Sequence, residues 1–183
     1  MSGRTPFRTL NRDVLLDLGF LNITMRSIES PDGDLFDRIV VEHPGAVAVV
    51  PVISDEVVLI RQYRPAVEKR ILEIPAGKLD IIGEDPHEAA RRELAEETGL
   101  LADSFVHLTD LMTSVGFCDE RISIFLADNV ETGTRAPIGP EEEDADVLRM
   151  SFDEALALVV SGDITDAKTA VGILLTAQIR AAS

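Results

Sequence analysis

Cysteine and basic residues are scarce in this chain of 183 residues. Cys118 is the only cysteine, so one chain can form neither an internal disulfide nor a zinc site built from several cysteines. Lysine and arginine number 17 against 33 acidic residues, giving a formal net charge of −16. This charge argues against nucleic acid or an anionic membrane as a partner, because the average field repels both. A phosphate ester would also be repelled unless a bound cation or a local arginine cluster reversed the field.

Long hydrophobic runs are missing as well. The longest apolar stretch is Ala46–Ile53, far short of the roughly 20 residues that a membrane-spanning helix needs. Residues 1–10 are polar and lack the apolar run of a signal peptide, so we expect a cytoplasmic protein. No repeat, low-complexity tract or linker divides the chain, and its length predicts a single domain over residues 1–183.

Hydrophobic patterning predicts a β-rich first third. Apolar and polar residues alternate over 20–28, and a turn at 31–34 precedes a second strand at 35–41, which indicates a hairpin. β-Branched runs at 46–53 and 57–61 are typical of buried strands. Further strands are predicted at 105–112 and 121–127, a long acidic loop at 129–146, and helices at 150–160 and 167–182.

The order of these elements predicts the fold class. Strands and helices interleave around one mixed sheet, so we expect an α/β/α sandwich. Residues 1–43 are expected to form an N-terminal antiparallel β extension, and residues 44–183 the core. On the last helix, the expected buried face comprises Val171, Leu174, Leu175 and Ile179.

The helix in the middle of the chain has readable ends. Asp85 is a suitable N-cap, Pro86 fits the first helical position, and Glu88 stands three residues after the cap, as in a capping box. Gly99 marks the C-terminal stop. These signals predict a helix over residues 86–98.

Three acidic residues of this helix, Glu93, Glu96 and Glu97, share one face. Like charges at this spacing destabilise a helix by about 0.2–0.5 kcal/mol per pair, and the helix C-terminus disfavours anions. One interpretation is a solvated acidic face in an acidic protein. The other is a site for a hard divalent cation, because carboxylate oxygens are the ligands that Mg²⁺ and Mn²⁺ prefer.

The flanking residues favour the cation site. Gly77, Glu84, Arg92 and Gly99, together with the three acids, match the Nudix box G-x5-E-x7-R-E-U-x-E-E-x-G-U, in which U is aliphatic. The chain departs from it at one point, since six residues rather than five separate Gly77 from Glu84. The extra residue falls in the loop before the helix and leaves the spacing of the acids unchanged. The chain therefore resembles the Nudix hydrolases.

This resemblance implies the α/β/α sandwich of the Nudix hydrolases, a hydrolysis reaction and a set of metal ligands. Nudix hydrolases cleave a diphosphate linked to another moiety with the help of divalent cations, here Mg²⁺ or Mn²⁺. By resemblance, Glu93 and Glu97 are metal ligands, Glu96 is a ligand or holds a metal-bound water, and the carbonyl of Ala76 is a further ligand. Glu84 and Arg92 are interpreted as a structural pair that fixes the loop on the helix.

Other segments resemble the ADP-ribose pyrophosphatases within this family. These segments are residues 59–64, residues 72–80 and residues 116–120. The resemblance implies hydrolysis of ADP-ribose to AMP and ribose 5-phosphate. Val115, however, stands where this group often has proline, so GDP-mannose and other nucleoside diphosphate derivatives remain open as substrates. A non-catalytic nucleotide-binding sensor is the alternative of another class, although the intact set of acids argues against it.

The candidate substrate-binding residues are Arg64, Arg61, Glu73, Gly116 and Glu120. A guanidinium can bridge two phosphate oxygens, which makes Arg64 the first candidate for a phosphate contact. By resemblance, an acid of the loop at 140–146 serves as general base or extra metal ligand. Glu143 fits that pattern best, with Glu141 and Glu142 as the other candidates. The N-terminal strands, by the same resemblance, predict a homodimer.

Overall fold

The computed structural model describes residues 6–182, and the chain forms two compact units. One unit consists of Met1–Gly45 and Met112–Arg121, and the other of Ala46–Leu111 and Ile122–Ser183. Among the described residues, no helix has both the length and the apolar character to cross a membrane.

The first unit is built on a three-stranded antiparallel sheet in the order β1-β2-β3. Its strands are β1 (Arg8–Asp17), β2 (Asn22–Glu29) and β3 (Leu35–Glu42). The predicted hairpin of β2 and β3 is therefore confirmed. β1 was not predicted, because two irregularities in its pairing with β2 break the period of two on which the prediction rests.

The second unit contains the main sheet, in the order β12-β5-β4-β10-β9, with β6 paired to β5 and β7 paired to β4. The remaining strands are β4 (Ala46–Ile53), β5 (Glu56–Arg64), β6 (Lys69–Glu73), β7 (Ala76–Lys78), β8 (Leu100–Leu101), β9 (Phe105–Met112), β10 (Arg121–Ala127), β11 (Glu131–Thr132) and β12 (Asp146–Ser151). β10 runs parallel to β4, whereas β5 and β7 run antiparallel to it, so the sheet is mixed as predicted.

Helices cover both faces of this sheet. They are α1 (Pro86–Thr98), α2 (Pro140–Glu143), α3 (Phe152–Ser161) and α4 (Ala167–Ala182). Alternate residues of β4 supply the two cores: Val47 and Val49 pack with Leu94 of α1, whereas Val50 packs with Ile173 of α4. This alternation follows from the strand period, and it confirms the α/β/α sandwich.

Two predictions for the C-terminal part were wrong. Residues 146–151 form β12, which pairs with β5 and supplies Ser151 as the N-cap of α3, so that helix begins two residues later than predicted. On α4, Leu174 and Ile179 are 43% and 41% exposed, and of the predicted face Val171 packs against the core. The buried face of α4 comprises Lys168, Thr169, Gly172, Ile173 and Thr176. Gly172 selects this face, because a Cβ there would lie 2.8 Å from Cγ2 of Val50.

Candidate active site

The helix α1 begins and ends as predicted. The Asp85 side chain accepts a hydrogen bond from the His87 amide at 2.9 Å, and Gly99 ends the helix with φ of +71°. A Cβ at Gly99 would also lie 2.7 Å from the backbone nitrogen of Arg135. Glycine is therefore required both by the left-handed backbone and by the close approach of another segment.

Arg92 is the centre of the ion pairs on α1. Its Nε and Nη2 each donate to one carboxylate oxygen of Glu84 at 2.9 Å, which is the pair that the sequence predicts. Its Nη1 donates to Glu93 at 2.6 Å and to Glu96 at 3.0 Å. The hydrogen bond from Arg92 lowers the pKa of Glu84. One cation thus holds the preceding loop on the helix and orients two of the three acids.

Glu93 and Glu97 are buried, with exposed fractions of 8% and 3%. Burial raises the pKa of Glu97 to about 8, and the charges of Glu93 and Glu142 act in the same direction. Burial also raises the pKa of Glu93, although Arg92 opposes the shift. The structure therefore brings together carboxylates whose negative charge is destabilised by their surroundings.

The segment before the box contacts Glu97 directly. The amide of Ala76 donates to Oε2 of Glu97 at 2.8 Å. Across the described residues, no three Asp, Glu, His or Cys side chains converge as a ready-made metal cluster. The available donors are nevertheless all oxygens, and a divalent cation would relieve the unfavourable charge of the buried carboxylates. This donor chemistry fits a hard cation.

The acidic loop brings one of its three glutamates to this group. Glu142 is half-buried, and its negative charge raises the pKa of both Glu93 and Glu97, whereas Glu141 and Glu143 are exposed. The Glu142 carboxylate accepts from the Ile138 amide at 2.7 Å. The structure therefore favours Glu142 over Glu143 as the loop acid nearest the box.

Two arginines, the predicted Arg61 and also Arg70, contact the acidic loop or its neighbours. Arg61 donates to Asp146 at 2.7 Å, and Arg70 pairs with Asp144. Arg64 instead binds Glu73 through two hydrogen bonds of 2.6 and 2.8 Å. The charge of Glu97 acts on Arg64, which places this guanidinium within electrostatic range of the box acids.

Glu73 is fully buried between two cations. Lys168 contacts the carboxylate from α4, and Arg64 contacts it from β5. Burial alone would raise the pKa of Glu73, but the hydrogen bonds and charges of Arg64 and Lys168 outweigh burial and lower it. The buried Glu73 carboxylate can therefore influence a ligand only through Arg64 or Lys168.

Gly116 and Glu120 lie in the first unit. Both line a cavity of about 320 Å³, together with Arg26 and Val115. The Glu120 carboxylate accepts a hydrogen bond of 2.6 Å from the Thr113 hydroxyl.

Sequence reasoning missed two cations. Arg135 donates to the backbone carbonyls of Glu97, Glu142 and Ala145, and its one sequence signal is that it is the sole basic residue between positions 128 and 146. Lys168 reaches Glu73 across 95 positions of the chain, and nothing in its local sequence marks it.

Comparison with known proteins gives concordant matches. The NUDIX domain family matches residues 42–169. The chain is 36% identical to an ADP-ribose pyrophosphatase of Bacillus subtilis (strain 168), over 91% of this chain and 90% of that protein. It is 35% identical to a GDP-mannose pyrophosphatase of Enterobacter sp. (strain 638), over 64% of each chain.

A solved structure supports the fold. The crystal structure of an ADP compounds hydrolase has a TM-score of 0.81 and 23% identity to this chain, covering 97% of this chain and 96% of the other. At this identity the likeness concerns the fold.

Proposed function

The chain belongs to the NUDIX family, and from that membership we propose that it hydrolyses the diphosphate bond of a nucleoside diphosphate sugar. The substrate we propose is ADP-ribose, split into AMP and ribose 5-phosphate. The observation that carries this proposal is the similarity to an ADP-ribose pyrophosphatase along nearly the whole of both chains. The buried carboxylates of α1 supply the chemical setting.

Hydrolases of this family generally use divalent metal ions. We assign Mg²⁺ or Mn²⁺ to the carboxylates of Glu93, Glu96 and Glu97 and the carbonyl of Ala76. The raised pKa of Glu97 supports this assignment, because a buried carboxylate lacks a compensating charge there. When bound, such a cation polarises phosphoryl oxygens and lowers the pKa of the attacking water. The hydrogen bond from the Ala76 amide keeps one Glu97 oxygen oriented.

The loop acid in this proposal is Glu142. Its partial burial and its electrostatic action on Glu93 and Glu97 support a role as general base or as a further ligand. Glu141 and Glu143 are exposed and serve as the comparison. Replacing each glutamate singly by glutamine separates them, since only the active acid should lower kcat by orders of magnitude.

Arg64 is the proposed phosphate contact. Its side chain is 42% exposed, and Glu73 holds its Nε and Nη2 in a fixed fork. A guanidinium oriented in this way loses little entropy when it binds an anion. Glu73 then acts as a positioning residue for Arg64. Arg61, Gly116 and Glu120 stay candidates for further contacts, the last two because they line one cavity.

A substrate panel tests the proposal. ADP-ribose and GDP-mannose are compared at equal concentration with Mg²⁺, and the released phosphomonoester is measured after phosphatase coupling. We expect turnover of ADP-ribose, and loss of several orders of magnitude in Glu97→Gln with an unchanged circular dichroism spectrum. The exposed carboxylate Glu131, changed to glutamine, is the matched control. Full activity in excess chelator would refute the proposal.

GDP-mannose is the second candidate substrate. The similarity to a GDP-mannose pyrophosphatase and the presence of Val115 instead of proline favour it. Preferential turnover of GDP-mannose in the same panel would select it over ADP-ribose. Tight ADP-ribose binding without turnover of either compound would instead indicate a sensor.

We also propose a homodimer formed through the N-terminal strands. The first unit exposes large apolar side chains along β1 and the following turn, namely Leu10, Val14, Leu15, Leu16 and Leu18. Large apolar side chains concentrated on one exposed segment favour an interaction surface. Light scattering at micromolar concentration should give the mass of two chains, and the mass of one chain would exclude the dimer.

A further inference from the structure

The C-terminal end of α1 lacks a basic residue of its own. The last turn contains none, although Glu93, Glu96 and Glu97 add negative charge to the end of the helix that the macrodipole already makes negative. The last carbonyls of a helix also need donors from elsewhere. A distant segment supplies them: the Ala136 amide donates to the Glu96 carbonyl at 3.1 Å.

Arg135 supplies the missing positive charge. Its Nε donates at 2.6 Å to the backbone carbonyl of Glu97, in the last turn of α1. Glu97 is also more deeply buried than Glu93. The backbone beside it is tightly docked, because a Cβ at Gly99 would lie 2.7 Å from the Arg135 nitrogen. The position of the guanidinium is therefore fixed relative to α1.

The same guanidinium also holds the acidic loop. Nη1 donates to the Ala145 carbonyl at 3.2 Å, and Nη2 donates to the carbonyl of Glu142. Arg135 thus bridges three backbone carbonyls, namely Glu97 on α1, Glu142 on the short helix α2 and Ala145 just after α2. A lysine ammonium cannot reproduce this planar fork.

Other ion pairs of the loop are weaker anchors. Arg61 with Asp146 and Arg70 with Asp144 are exposed pairs, which contribute little to rigidity in water. Arg135 is half-buried and binds main-chain atoms, so its contacts restrain the path of the loop itself.

We propose that Arg135 is a positioning residue that fixes the segment 138–146 to the end of α1 and so sets Glu142 against Glu93 and Glu97. The effect of Arg135 on turnover rests on the proposed function, whereas its role in fixing residues 138–146 to α1 does not. A merely structural arginine would stabilise the fold without acting through Glu142.

The first experiment measures the segment without reference to turnover. Hydrogen–deuterium exchange of the full chain is compared for wild type, Arg135→Ala, Arg135→Lys and the control Arg149→Ala, which removes an exposed cation on β12. We expect faster exchange of amides in 138–146 for both Arg135 variants and no change for Arg149→Ala. Unchanged exchange in Arg135→Lys would overturn the proposal, and that variant retains the charge if Arg135→Ala does not fold.

The second experiment is a double-mutant cycle on kcat with ADP-ribose and Mg²⁺. Arg135→Lys should lower kcat by about 10- to 100-fold, the size expected for a misplaced catalytic group, with a smaller effect on KM. In the Glu142→Gln background the same change should have almost no further effect on kcat, because the group it positions is gone. Additive losses would overturn the proposal. A wild type that hydrolyses no nucleoside diphosphate sugar would refute the proposed function, while the exchange data would still decide whether Arg135 holds the segment.

Discussion

Gly77 and the carboxylate of Glu93 occupy adjoining space. A Cβ built on Gly77 would lie 1.9 Å from Cδ of Glu93, which is far inside van der Waals contact. The box glycine is therefore explained by the acid that lies against it, and its backbone does not adopt a positive φ. Any side chain at position 77 must displace Glu93.

The first prediction concerns Gly77→Ala. Because the colliding group is the flexible end of Glu93, the protein should fold but with the carboxylate moved, and kcat should fall about 100-fold. The measurement is kcat on the proposed substrate together with the melting temperature. Gly83→Ala, in the loop between β7 and α1, is the control, since no heavy atom lies within 4 Å of its Cβ and only its positive φ is strained. Equal losses of kcat in both variants would contradict the explanation.

The second prediction is a pH dependence of stability in the metal-free protein. Glu97 has a pKa of about 8 in the folded chain against an ordinary value of 4.5. Between these values the folded state keeps a proton that the unfolded state loses. The contribution of Glu97 to the free energy of unfolding is therefore fully present below pH 4.5 and is lost as the pH rises towards 8. The slope is at most about 1.4 kcal/mol per pH unit.

Urea unfolding in excess EDTA at several pH values measures this slope. Glu97→Gln should reduce this slope, and the buried Glu93, whose pKa is also raised, accounts for any remainder. Glu131→Gln, which changes an exposed carboxylate, should leave the slope in place. A wild-type slope retained by Glu97→Gln would show that other groups cause it. Titration of Mg²⁺ into the wild type should release protons, because a carboxylate ligand binds the metal in its ionised form.

The third prediction concerns the buried pair of Glu73 and Lys168. Removing Lys168 leaves a fully buried carboxylate with Arg64 as its remaining cation. Lys168→Met should destabilise the fold by about 3 kcal/mol in urea unfolding, as for other broken buried pairs. Lys69→Met is the control, because Lys69 is exposed on β6.

A double variant tests whether the unpaired buried charge causes the loss of stability in Lys168→Met. Glu73→Gln combined with Lys168→Met removes the fully buried carboxylate, but Asp166 still loses its ion pair with Lys168 and Arg64 loses its ion pair with Glu73. Only part of the lost stability should therefore return. A double variant that is less stable than Lys168→Met alone would mean that the packing of the lysine stem, and not the charge, sets the loss.

Local patterns account for the parts of the structure that the sequence predicted. The strand Ala46–Ile53 and the helix Pro86–Thr98 appear with their predicted bounds, because β-branched runs and capping residues act within a few positions. The strand Asp146–Ser151 was missed because its first residue, Asp146, continues the preceding acidic run and its last residue caps the next helix. Strand pairing with β5 decides its conformation.

In the candidate site, too, local sequence patterns predicted some contacts, whereas contacts between distant segments were missed. The shared face of the acids on α1 follows from helical spacing, whereas the Glu84–Arg92 pair was implied by the resemblance to the Nudix box. That pair is present in the structure. The contacts of Arg135 with Glu97 and of Lys168 with Glu73 join residues 38 and 95 positions apart. No local pattern encodes such contacts, since they depend on how the chain folds back on itself.

The last prediction concerns two buried threonines on α4. Thr169 accepts a hydrogen bond from the Ile74 amide at 2.9 Å and donates to Asp166. Thr176 is equally buried, but within the described part of the chain its hydroxyl oxygen has no hydrogen-bond partner.

Valine matches threonine in shape, so substitution isolates the contribution of the hydroxyl. Thr176→Val should raise stability by about 1 kcal/mol, because an unpaired buried hydroxyl costs roughly 1–3 kcal/mol. Thr169→Val should lower stability by at least as much, since it leaves a buried amide unpaired. Both values come from urea unfolding at one pH. A loss of stability in Thr176→Val would mean that its hydroxyl has a partner in solution, such as a bound water.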